Sequence, residues 1–190
     1  MSQAAAKNTQ SSKFSVREIC YTGLFAAVIA VMAQISIPMP LGVPMTMQTF
    51  AITLAAVVLG SRLSAIASLV YLLLGAVGVP VLANFSGGID KFVGPTGGFL
   101  ISFPLMAYII GLGVEHRDAF KGAFPLAVVV GTVINYIVGV LMFVVVAHST
   151  FAVAISACVL PFIPTAIIKA VLATLLGLSI RKRIPGLKKA

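Results

Sequence analysis

Residues 151–183 read FAVAISACVLPFIPTAIIKAVLATLLGLSIRKR, and this stretch decides the solvent of the protein. From Phe151 to Ile180 it carries a single charged side chain, Lys169, and it stops at Arg181-Lys182-Arg183. A helix that crosses a bilayer needs about 20 mostly apolar residues. The stretch is too long for one straight span. Pro161 and Pro164, which remove amide donors and clash with the preceding turn, divide it, so the spanning helix is predicted to begin near them. Working outward, further apolar runs lie at 19–37, 46–59, 63–83, 98–114 and 124–147. The second of these is short for a span. The prolines at 38, 40 and 44 separate the first two runs, and Gly60-Ser61-Arg62 turns the second into the third. Asn84 to Gly98 is a glycine-rich loop, and Glu115-His116-Arg117-Asp118 is a polar turn.

The composition agrees. Sixty per cent of the 190 residues are hydrophobic, 9% are charged, and mean hydropathy is +1.14. A soluble domain is about a quarter charged, so most of this surface must face lipid. The basic residues give an orientation. With the N-terminus inside, one side carries Lys7, Lys13, Arg17, Arg62, Arg117, Lys121, Arg181, Lys182, Arg183, Lys188 and Lys189, and the other carries Lys91 alone. Eleven against one predicts an all-α membrane protein of six transmembrane helices with both termini cytoplasmic. Residues 1–14 form a polar tail read as disordered, without a cleavable signal. The membrane domain is 15–182, and 183–190 is a basic cytoplasmic tail. The net charge of +9 is therefore a topology signal and not a nucleic-acid footprint.

Little chemistry is available. The four acids, Glu18, Asp90, Glu115 and Asp118, lie outside the apolar runs, so a di-metal carboxylate site and an intramembrane proton relay are both disfavoured. Cys20 and Cys158 form no metal or redox motif and read as small buried hydrophobes. Gly94-Pro-Thr-Gly-Gly98 lacks the Lys-Ser/Thr ending of a phosphate loop and reads as a lid allowing close backbone approach. These features predict a protein that binds and passes a small molecule without transforming it. A membrane enzyme, a purely structural subunit and a solitary, proton-coupled carrier are the competing classes.

Lys169 is the most informative residue. Counting back from Arg181 at 1.5 Å per residue places it about 18 Å from the inner boundary and about 12 Å from the outer one. An intramembrane charge costs at least about 2.5 kcal/mol and by default marks a functional site. The competing reading is a lysine bonded to backbone carbonyls. Thr46 and Gln48, at the start of the second run, and Asn84, Asp90 and Lys91, in the loop after the third, fall on the same outer side and could orient a ligand. Capping or interhelical bonding is the alternative for Thr46 and Gln48. Asn135 and Tyr136 need partners within the fifth run, either a ligand or a neighbouring helix. Tyr71 and Tyr108 read as packing or interface anchors. Ala26 and Ala30, with Ala27 and Ala33 beside them, form a small-xxx-small pattern suited to close helix approach, within this chain or with a partner subunit.

Four segments carry a family resemblance: Pro40-Leu-Gly-Val-Pro-Met-Thr-Met-Gln-Thr-Phe50, Tyr71-Leu-Leu-Leu-Gly-Ala-Val-Gly-Val-Pro80, Gly87-Gly88 with Gly94-Pro-Thr-Gly-Gly98, and Pro161-Phe-Ile-Pro164 with Lys169. Over about residues 15–182 the chain resembles BioY, the biotin-binding S component of energy-coupling factor (ECF) transporters. The resemblance implies a multi-pass protein of the cell membrane with an outward-facing biotin site. The loop after the first helix and the glycine-rich loop would close that site. It also implies a transmembrane coupling subunit and two ATP-hydrolysing subunits as partners, with Ala26 and Ala30 on the docking face. No cofactor is expected, and biotin is the transported ligand. An S component for another vitamin is the alternative. The expected ligand-binding residues are Lys169, Asn84, Gln48, Thr46, Phe92, Asp90, Thr96, Asn135 and Tyr136. Amides at 84 and 48 complement a ureido ring, Phe92 suits an apolar ring, and a cation suits the carboxylate. One departure stands out: the family pattern has Gly-Asp after Pro164, whereas this chain has Thr165-Ala166. A Lys169–Asp pair is thus unavailable, and Lys169 is expected to meet the ligand directly or through water.

Overall fold

A computed structural model describes residues 14–39, 42–118 and 122–184. The expectations for both tails, for Pro40 and for Lys7, Lys13, Lys121, Lys188 and Lys189 lie outside the described residues. Eight α-helices follow in order: α1 Val16–Ala33, α2 Gln48–Leu59, α3 Ser61–Ala76, α4 Asp90–Val93, α5 Gly97–Glu115, α6 Ala123–Val146, α7 Phe151–Cys158 and α8 Ile163–Arg183. Between α1 and α2, strands Ser36–Ile37 and Met45–Thr46 pair antiparallel, Ser36 opposite Thr46. This small ladder was not foreseen in the sequence.

Among the described residues, four segments are long and apolar enough to cross a membrane: α1, α5, α6 and the run Phe151–Arg183 that holds α7 and α8. Helices α2 and α3 are apolar but have only 12 and 16 residues. At 1.5 Å per residue α2 is about 18 Å long, well short of a hydrocarbon core about 30 Å thick. The third run also ends sooner than expected, at Ala76 and not at 83, because Val77 to Ile89 turns through Gly78 (φ 97°) and packs Gly87 against the Gly78–Val79 backbone.

Helix α2 is the core. Every residue of it except Thr49 is buried, as a helix apolar on all sides requires. It packs against α8, α5, α1 and α3, while α5 also packs on α6 and α3. The outer surface is apolar: Val129, Val133 and Ile137 of α6 and Ile167, Ile168 and Leu175 of α8 are exposed. That is the surface a bilayer covers.

Helix α1 buries Thr22, Phe25, Ala26, Ile29 and Ala33, which recur at helical spacing on one face. Ala26 is only 3% exposed and packs inside its own chain, the within-chain alternative for the small-residue pattern. Ala30 is half-buried, and the fully exposed small residues are Gly23 and Ala27, one residue round the helix.

At the far end from the strand pair, Arg181, counted in the sequence among the basic residues of the inner side, is buried at 7% exposure. Its Nη1 donates to the carbonyls of Val57 and Val58, 3.2 Å each, at the C-terminus of α2. Glu115 accepts from the Ser61 amide (2.6 Å) and hydroxyl (2.9 Å) at the N-terminus of α3. A cation thus satisfies one helix C-terminus and an anion the next helix's N-terminus, as the helix dipoles favour. Gly111 lets α5 cross there, since a Cβ on it would meet the backbone of Gly60 and Ser61. Gly111→Val should therefore destabilise the protein by about 1–3 kcal/mol or more, seen as a lowered midpoint of thermal unfolding in detergent. Gly23→Val, where an added Cβ meets nothing within 4 Å, should shift it far less.

Candidate functional site

A cavity of about 510 Å3 opens between the strand pair, the glycine-rich loop and helices α2, α5, α6 and α8. Two helices supply it through one face each. Thr96, which caps α5, is followed at helical spacing by Phe99, Leu100 and Phe103, and Phe162, which caps α8, by Thr165, Ala166 and Lys169. Residues three and four apart share a helix face.

Thr46 is the joint of the site. Lys169 Nζ donates to its carbonyl at 2.7 Å, and its hydroxyl donates to Gln48 Oε1 at 2.7 Å. Gln48, 4% exposed, donates in turn from Nε2 to the hydroxyl of Tyr71 at 2.5 Å. Tyr71 is completely buried, so it forms the floor beneath Gln48 and does not line the cavity. Its assignment as a packing residue is thus incomplete: it also orients a cavity amide.

On the opposite wall Asn135, 2% exposed, donates from Nδ2 to the Phe99 carbonyl (3.0 Å) and the Ser102 hydroxyl (2.8 Å). It therefore joins α6 to α5 while lining the cavity. Tyr136 meets Phe99 edge to face, with centroids 6.3 Å apart, a favoured aromatic geometry. At the mouth stand Asn84, whose Oδ1 accepts from Ser36 Oγ, and the Asp90–Lys91 pair at 3.0 Å. The hydrogen bond from Lys91 is the chief reason the Asp90 carboxyl is held below its ordinary range.

Eight of the nine residues expected to bind ligand line this cavity: Lys169, Asn84, Gln48, Thr46, Asp90, Thr96, Asn135 and Tyr136. Phe92 does not. It packs partly buried against the helical core, and its carbonyl backs onto Gly97. Phe99, Phe103 and Phe162 supply the aromatic wall in its place. The heptad-like spacing of residues 96, 99, 100 and 103 was the signal that could have found two of them. No group of three or more His, Cys, Asp or Glu gathers into a metal-binding cluster among the described residues.

The fold and site define an α-helical membrane protein that encloses a small-molecule cavity with hydrogen-bonding groups at its wall and mouth. Comparison with known proteins makes this specific. Residues 6–186 match the model of the BioY family, and the chain belongs to that family, one of transporters and not of enzymes. It is 43% identical over 168 residues to the biotin transporter BioY of Thermotoga maritima, covering 88% of this chain and 97% of the relative. It is 36% identical over 182 residues to the biotin transporter BioY of Rhodobacter capsulatus, covering 90% and 96%. Among solved structures it resembles the S-component for biotin from an ECF-type ABC transporter, with a TM-score of 0.79 and 25% identity over 88% of this chain and 92% of that one.

Tyr71→Phe removes the acceptor that orients the Gln48 amide. It should cost about 1–3 kcal/mol, the penalty of a buried donor left unpaired. Thermal unfolding of the ligand-free protein, compared with wild type, reads this loss.

Proposed function

We propose that this chain captures biotin at the outer face of the cell membrane and passes it inward as the S component of an ECF transporter, with ATP hydrolysed by partner subunits. Six helices, α1, α2, α3, α5, α6 and α8, make up the membrane body, with both termini in the cytoplasm. The charge asymmetry supports that orientation, because Arg17, Arg62, Arg117, Lys182 and Arg183 all fall on one side and Lys91 on the other. Helix α2 serves as a short central member sheltered by the longer ones, and α3 packs beside it with Leu69, Leu73 and Leu74 exposed on its outer face.

Lys169 carries the reading. It places an ammonium in the wall of an otherwise apolar-helix cavity, and its hydrogen bond among the described residues goes to a neutral carbonyl. No acidic partner lies within ion-pair distance of it among the described residues. A lysine has three donors, so two remain for a ligand carboxylate. Biotin has the complementary groups: a carboxylate, an apolar ring with an aliphatic tail, and a ureido ring with two N–H donors and one carbonyl. The cavity volume lies within the range of small-molecule sites. Phe99, Phe103 and Phe162 suit the apolar part, while Asn84, Gln48 and Thr46 suit the ureido group. Thr165 and Ala166, where an acid would compete for the ammonium, leave Lys169 to the ligand.

Isothermal titration of purified protein with biotin tests this. Binding is expected, and Lys169→Ala should weaken it by about 10- to 150-fold, the worth of a charge-assisted hydrogen bond. The methyl ester of biotin should lose much less on the same substitution. Heat with thiamine or riboflavin but none with biotin would remove the assignment.

Docking to the coupling subunit is proposed for the face of α1 that exposes Gly23 and Ala27, with the half-buried Ala30 at its edge. Gly23→Leu and Ala27→Leu should preserve biotin binding and reduce co-purification with the coupling subunit. Undiminished co-purification of both would show that another face is used.

A further inference from the structure

Gln34, the residue that ends α1, makes hydrogen bonds on both sides of Asn84. Its Nε2 donates to the carbonyls of Val81 (3.1 Å) and Leu82 (3.2 Å), and to Ala30 in its own helix (2.9 Å). Its Oε1 accepts from the backbone amide of Phe85 at 2.8 Å. One side chain thus brackets residue 84 from a point some 50 positions earlier in the chain. Two residues on, Ser36 Oγ donates to Asn84 Oδ1, which leaves the two Nδ2 hydrogens to face a ligand.

The bracket has something to hold. Asn84 (φ 58°, ψ 40°) and Phe85 (φ 52°) are consecutive left-handed residues that are not glycine, a conformation that persists only where the surroundings enforce it. The loop's other holds are local or reach Gly75: Ser86 Oγ donates to the Ala83 carbonyl at 2.7 Å. Leu82 is buried against Gly75, its amide bonds to the Ser86 carbonyl (2.9 Å), and the Gly88 amide bonds to the Gly75 carbonyl (2.7 Å). Phe85 itself is largely exposed and contributes no packing to fix its own backbone. Without the Gln34 amide, the carbonyls of Val81 and Leu82 and the amide of Phe85 lose this partner.

We infer that Gln34 is a positioning residue for the ligand site: it never lines the cavity, yet it fixes the loop conformation that presents Asn84 to it. Its place at the end of α1 also ties the pocket loop to the helix whose outer face is assigned to docking. This inference rests on the biotin reading only for its ligand, because the loop itself can be followed without one.

The experiment compares wild type, Gln34→Leu, Gln34→Glu, Asn84→Ala and the Gln34→Leu/Asn84→Ala double variant in lipid nanodiscs. Hydrogen–deuterium exchange of the ligand-free protein should show faster exchange at residues 81–88 in Gln34→Leu while the amides of α2 and α5 keep their protection. Gln34→Glu retains the bond from Phe85 but sets an acceptor-only oxygen against the carbonyls of Ala30, Val81 and Leu82, so it should loosen the loop as well. Biotin affinity should fall about tenfold in Gln34→Leu, and the double variant should bind no more weakly than Asn84→Ala alone. Unchanged exchange at 81–88 in Gln34→Leu would overturn the inference, as would additive losses in the double variant. Should wild type take up no biotin, the functional reading fails, and the exchange result still decides the role of Gln34.

Discussion

A bilayer offers no hydrogen bonds, and this constraint organises the protein. A backbone group in hydrocarbon must find its partner within the chain, so irregular segments are tolerated only where they are packed in protein or line a cavity. The non-helical segments of this chain that lie near the cavity obey that rule. Residues 36–37 and 45–46 form a ladder, and Thr46 lends a carbonyl to Lys169. The backbone around 81–88 is held by Gln34 and Gly75. The cavity lies where these two segments meet the helices, because that is where chain reversal leaves room and polar groups together. At the opposite end the same demand is met with charge: Arg181 and Glu115 satisfy the ends of α2 and α3, and no cavity is needed there.

The central position of α2 follows from the same constraint. A helix of about 18 Å cannot reach both headgroup layers, and on the lipid face its ends would expose unpaired backbone. Surrounded by α1, α3, α5 and α8, it has Arg181 at one end and the Thr46–Gln48 turn at the other. Its brevity is what makes room for the cavity: Gln48, the first residue of α2, lines the site because the helix stops there.

What could be read from the sequence followed one rule. Features set by solvent were legible, because lipid acts on every residue and leaves long apolar runs. Lys169 stood out for this reason, as did the prolines before α8. Features set by helix phase were half legible. A pattern of small residues identified α1 as a close-packing helix, but Ala26 and Ala27 differ by only about 100° of rotation, and nothing local tells which one turns inward. Phe92 failed similarly: its place in a polar loop was plain, but the four-residue helix that turns it against the core has no periodicity to read. Gln34 was invisible, because its partners are backbone groups far along the chain and any residue type there would supply them. The strand pair carries only two residues a side, too few for an alternating pattern.

On the proposed reading, the bond between Lys169 and Thr46 prepares the ammonium for an anion at a place with no acidic counter-ion among the described residues. A lysine waiting in water gives up its hydration when a ligand arrives, and that loss subtracts from affinity. Here part of the loss has already been met by folding, since the ammonium has exchanged water for a carbonyl at 2.7 Å. An aspartate in the same place would compensate the charge fully and leave little attraction for a ligand carboxylate. A carbonyl compensates it in part, fixes the direction of the ammonium and keeps two donors free. The Thr46 hydroxyl extends the effect by ordering Gln48, and Tyr71 orders Gln48 from below. The polar groups of the cavity are thus held in place before any ligand enters, and the binding energy need not be spent on arranging them.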